Sequence, residues 1–75
     1  MKILLNGAWR ELVVAGAQEP APAPPTLETL LLAWGYGGAT VATAVNGEFV
    51  PARARPQTPL QDGDRIEVLA PMQGG

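Results

Sequence analysis

The chain has 75 residues, a formal net charge of −2 and a pI near 4.8, and it contains neither Cys nor His. That length makes one domain, and the composition excludes a thiol nucleophile, a Cys/His zinc site and a His base. The acidic balance argues against a nucleic-acid partner, which normally meets a basic face, and the longest apolar runs are too short for a signal peptide or a membrane span, so a soluble, cytoplasmic chain with no membrane partner is expected.

Residues 2–14 read as a β-hairpin, in which 2–5 meets Asn6-Gly7, a dipeptide suited to tight turns with positive φ, and 10–14 returns. A two-residue loop pairs Leu5 with Ala8, and a four-residue loop pairs Leu5 with Arg10. Both registers put Ile3, Leu5, Leu12 and Val14 on one face, taken as core, with Leu4 and Trp9 on the other. Residues 15–25 (AGAQEPAPAPP) form a low-complexity, Pro-rich loop that serves as a stiff, extended connector. Thr26 can then cap a helix. Leu27, Leu30, Leu31 and Trp34 follow the spacing of one apolar stripe, Glu28 sits in the first turn, and Gly35 is placed to end the helix.

Residues 40–50 form a second hairpin around Asn46-Gly47, whose tight turn pairs Val45 with Glu48 and Ala44 with Phe49. Val41, Thr43, Val45 and Val50 share one face; Ala42, Ala44 and Phe49 share the other. Both faces are apolar, so the alternation leaves open which one meets the helix. If the larger aliphatic face is core, Phe49 is an outward-facing candidate for partner contact. Residues 51–56 (PARARP) read as a connector that Pro keeps out of a central strand, with Arg53 and Arg55 as a solvated pair. Asp62-Gly63-Asp64 is a turn too poor in spaced oxygen ligands for calcium, and the seven acids are too dispersed for any other metal site. A last strand over 65–69 buries Ile66 and Val68 and turns Leu69 the other way.

The element order ββ–α–ββ–β predicts an α+β domain over residues 1–75. Its mixed sheet has four to five strands with one helix packed across it, and the first and last strands pair as parallel neighbours. That is the β-grasp, or ubiquitin-like, architecture. Residues 71–75 follow as a flexible tail ending in Gly74-Gly75. Two residues without side chains let a terminal carboxylate enter a narrow partner site in almost any backbone conformation.

Four pieces, in order, resemble the ThiS sulfur carriers of thiamin biosynthesis. They are Ala44-Val45-Asn46-Gly47-Glu48, Val50-Pro51, the run from Leu60 to Val68, and Met72-Gln73-Gly74-Gly75. The long 15–25 loop is a departure from that family. The resemblance implies that a ThiF-like adenylyltransferase, using ATP and Mg²⁺, activates the Gly75 carboxylate. Sulfur from a donor such as a cysteine desulfurase then makes a thiocarboxylate, which a ThiG-like thiazole synthase consumes. Gly75 is then the attachment point, Gly74, Gln73 and Met72 the tail that enters the partner, and Leu69, Met72 and Phe49 the docking candidates. The chain itself supplies no catalytic residue and binds no cofactor or metal.

Four other readings compete. A MoaD-like small subunit of molybdopterin synthase shares the fold and tail, although Val45-Asn46-Gly47-Glu48 and Met72-Gln73 favour ThiS. A ubiquitin-like modifier of lysines uses the same terminus, and a β-grasp RNA-binding module has no tail chemistry. An independent enzyme has least support, since no two groups form a recognisable acid–base or nucleophile arrangement.

Overall fold

The structure is a computed structural model, and it describes residues 1–13, 24–37 and 40–70. Strands β1 (Lys2–Leu5) and β2 (Ala8–Glu11) make the first hairpin. Asn6 and Gly7 both have positive φ, 49° and 84°, so the turn is the two-residue one, Leu5 pairs with Ala8, and the return strand is Ala8–Glu11 where 10–14 was expected, because the tight turn brings the chain back at once. Strands β3 (Ala42–Val45) and β4 (Glu48–Val50) repeat the device, with φ of 52° and 88° at Asn46 and Gly47. Val45 pairs with Glu48 and Ala44 with Phe49, the register expected from the turn.

The last strand, β5 (Arg65–Leu69), lies between the hairpins. It runs parallel to β1 and antiparallel to β3, giving one mixed five-stranded sheet in the order β2-β1-β5-β3-β4. A parallel β1–β5 pair needs a long crossover, and everything between the two strands supplies it.

Helix α1 (Leu27–Ala33) packs on one face of this sheet. Thr26 caps it in extended conformation, its hydroxyl accepting the Thr29 N–H at 3.2 Å. At the other end Gly35 takes φ of 90°. The Tyr36 N–H then reaches the Leu31 carbonyl at 2.7 Å and the Gly35 N–H reaches that of Leu32 at 3.4 Å, a Schellman closure of the last turn. Leu27, Leu30 and Leu31 are buried against Ile3, Leu5, Ile66 and Val68, and Trp34 packs at the margin of this core. The Arg10 guanidinium lies 4.1 Å from the Trp34 ring centroid, tying the edge strand β2 to the helix end.

The second hairpin turns its larger aliphatic face inward. Thr43 and Val50 are buried, and Val41 and Val45 pack against the core. Leu12 is buried as expected, whereas Val14 and the 15–23 part of the Pro-rich loop lie outside the described residues.

Two expectations change. Residues 51–56 are not an irregular connector: Ala52–Gln57 form a 3₁₀ helix entered through Pro51, whose fixed φ of −68° suits a helix entrance. Arg55 is also not a solvated partner of Arg53. Its Nη2 donates to the Val41 carbonyl at 2.7 Å and its Nε to Thr43 Oγ1 at 3.2 Å. Thr43 in turn donates to the Val50 carbonyl at 2.8 Å. One half-buried guanidinium thus joins the 3₁₀ helix to β3 and, through Thr43, to β4. The segment that follows secures the helix start, with the Leu27 N–H on the Thr58 carbonyl and the Leu60 N–H on the Pro25 carbonyl, both at 2.8 Å.

Candidate functional site

The face of the sheet turned away from α1 carries the exposed large apolar residues of the strands. Alternation along β5 buries Ile66 and Val68 and leaves Arg65, Glu67 and Leu69 outward. Pairing then lines up neighbours across the sheet: Ala42 beside Leu69, Ala44 beside Glu67, and Phe49 beside Ala44. Alanines at the middle positions leave a shallow groove between the two large side chains, and Glu67 is its one charged lining residue. Phe49 and Leu69 are 69% and 65% exposed, so neither is covered by the other described residues. On the first hairpin, Trp9 sits opposite Leu4 on the same outer side and is 59% exposed.

Two of the proposed docking residues, Phe49 and Leu69, therefore line one groove at the end of the strand that leads to the terminus. Met72, Gln73, Gly74 and Gly75 lie outside the described residues. Among the described residues, no group of three or more acidic side chains is placed to hold a metal ion. No described helix is long and apolar enough to cross a membrane. On the helix side a second hollow touches Glu28, Leu32, Tyr36 and Arg55. Arg55 is committed to the Val41 carbonyl and the Thr43 hydroxyl, so this hollow does not present it as a free cation.

Sequence reasoning missed how β5 is held. Both turn asparagines bind its backbone. Asn46 takes the Arg65 N–H on Oδ1 at 2.9 Å and gives its own N–H to the Arg65 carbonyl at 2.7 Å. Its Nδ2 also donates to Asp64 Oδ1 at 3.0 Å. Asn6 takes the Val68 N–H on Oδ1 at 2.9 Å and donates from Nδ2 to the Val68 carbonyl at 3.1 Å. The available signal was the choice of Asn at both turns. Asp also tolerates these φ values, but a carboxylate lacks the donor.

Known proteins extend this geometry. The profile of the ThiS family matches residues 3–75. The crystal structure of a thiamine biosynthesis protein (ThiS) from Geobacter metallireducens superposes with a TM-score of 0.74 at 29% identity, covering all of both chains. A thiazole synthase from Paramagnetospirillum magneticum (strain ATCC 700264 / AMB-1) is 35% identical over 65 residues. That match takes in 87% of this chain but 20% of the relative, so this chain spans about a fifth of the length of the curated protein it resembles. A family match over nearly every residue, on a mixed sheet that superposes end to end, places the chain in the ThiS family of small β-grasp sulfur carriers of thiamin biosynthesis.

Proposed function

We propose that this chain carries sulfur as a thiocarboxylate on Gly75. The observation that carries the reading is the family match running from residue 3 through Gly74-Gly75 itself. A carboxylate is a poor acyl donor because oxide is a poor leaving group. Attack of the Gly75 carboxylate on the α-phosphorus of ATP releases pyrophosphate and forms an acyl adenylate, with AMP now the leaving group. A ThiF-like adenylyltransferase performs this step, and Mg²⁺ in that enzyme offsets the phosphate charge. Sulfide adds to the acyl carbon and expels AMP to give the thiocarboxylate directly; where the donor is a cysteine desulfurase, its persulfide adds instead, and a thiol then cleaves the resulting acyl disulfide, leaving the thiocarboxylate and a new disulfide.

The charged terminus then delivers sulfur to a ThiG-like thiazole synthase. Support for that partner comes from the relative named thiazole synthase, which carries a segment like this chain within a much longer polypeptide. Phe49 and Leu69 are the docking contacts, because burying exposed apolar surface offsets the entropy lost when the tail is ordered. Gly74, Gln73 and Met72 occupy the partner's entrance, where Gly tolerates close walls and unusual φ. The unbranched thioether of Met72 adapts to more than one partner surface.

The test is intact mass spectrometry after incubation with a ThiF-like enzyme, Mg-ATP and a sulfur donor. The expected product exchanges one terminal oxygen for sulfur, and deletion of Gly75 abolishes charging while the circular dichroism spectrum is unchanged. An unmodified mass, with the enzyme active on another carrier, refutes the proposal. The thiocarboxylate is expected to support a thiazole synthase and not a molybdopterin synthase.

A further inference from the structure

The two Asn-Gly turns sit at opposite ends of β5. Asn46 holds its first residue, Arg65, partly through its own backbone N–H. Asn6 holds Val68, next to the last residue, through its side chain alone. The parallel ladder between β1 and β5 runs through the Leu4 N–H on the Asp64 carbonyl and the Asn6 N–H on the Ile66 carbonyl, both at 3.0 Å. Beyond that point the chain turns away at Gly7. A carboxamide presents one donor and one acceptor side by side, as a strand residue does. The Asn6 amide thus stands in for the missing next rung and satisfies both polar groups of Val68 across 62 residues of sequence.

We propose that Asn6 is a positioning residue for the C-terminal chemistry. It clamps Val68 on the β1 side, and with the pairing of Leu69 to Ala42 on the β3 side it fixes where the chain leaves the sheet. The inference rests on the carrier reading above. The segment from Ala70 to Gly75 can span at most about 20 Å when extended. A root that frays adds backbone freedom that must be lost before the carboxylate is in place, and a misplacement of about 1 Å at a reacting atom can cost about 100-fold in rate. A partner that grips the outer face therefore finds the carboxylate in place only if the root is fixed.

The test compares Asn6→Gly with Asn46→Gly. Both positions have positive φ, which Gly adopts without strain, so each hairpin turn is kept and one side-chain clamp is lost. Thiocarboxylate formation is measured with a ThiF-like adenylyltransferase, Mg-ATP and a sulfide source. Asn6→Gly is expected to lower kcat about tenfold with KM held within about twofold, because body docking is intact and terminal placement is not. Asn46→Gly is expected to change neither. Equal losses in both variants, or none in Asn6→Gly, overturn the proposal.

Backbone ¹⁵N relaxation gives a second readout. Order parameters at Leu69 and Ala70 are expected to fall in Asn6→Gly alone, and unchanged values overturn the clamp. If the wild-type chain is not charged at all, the carrier reading fails, and relaxation still decides whether Asn6 sets the chain's exit. Asn6→Asp provides a second variant should the Gly-Gly turn unfold. It keeps the acceptor, loses the donor and sets a charged oxygen against the Val68 carbonyl, and the same loss in kcat is expected.

Discussion

The two faces of the sheet use similar residues to opposite ends. Ile66 and Val68 point inward to α1, while their neighbour Leu69 points outward and stays exposed among the described residues. In the second hairpin Val50 is buried and the adjacent Phe49 is exposed. Apolar character alone therefore does not distinguish fold from function here. What distinguishes them is whether the chain provides a covering layer. The inner face has α1 and the segment around Leu60, and the outer face has nothing among the described residues. An exposed apolar face rimmed by charge is where a second protein gains most by docking.

That contrast can be broken at three levels. The largest effect is expected from Ile66→Ala. Its side chain is fully buried, and truncation of this kind costs about 2–5 kcal/mol. That is a large share of the stability of so short a chain, and urea denaturation is expected to show the midpoint falling sharply. Next is Arg55→Ala, which strips partners from the Val41 carbonyl and from Thr43. A loss of about 1–3 kcal/mol is expected, and Arg55→Lys is expected not to restore it, since one ammonium cannot reproduce the two directed bonds of the planar fork. A full rescue by Lys in the same denaturation assay refutes that assignment. The smallest effect on stability is expected from Phe49→Ala, within about 0.5 kcal/mol of wild type. The same change should raise KM for the adenylyltransferase or for thiazole synthase. If it instead destabilises the fold like Ile66→Ala, the division between the two faces is wrong.

Most of the architecture was legible in the residues because it is set by short-range periodicity. The period of two along 2–5 and 65–69, the 3.6 period from Leu27 to Trp34, and two Asn-Gly turns are local signals. Each fixes an element without knowledge of the others. The Gly-Gly end and the motif order from Ala44 onward likewise point to the carrier family from the residues alone. The 3₁₀ helix over Ala52–Gln57 was not legible, because two prolines bracketing two arginines suit an open connector equally well. Arg55 was misassigned for a related reason: its acceptors, Val41 and Thr43, lie more than ten residues upstream, and no local pattern announces them.

By itself, then, the sequence determined the strands, the helix and its caps, the tight turns and the identity of the terminal residues. Tertiary structure alone decided which face of the second hairpin is covered. Val50 and Phe49 are both apolar, and only packing against α1 separates them. It also decided that Asn6 and Asn46, chosen locally for positive φ, each spend a side-chain amide on β5. The physical reason is that alternation and turn chemistry act over a few bonds, whereas burial and the pairing of an amide with a strand 62 residues away exist only once the sheet has closed.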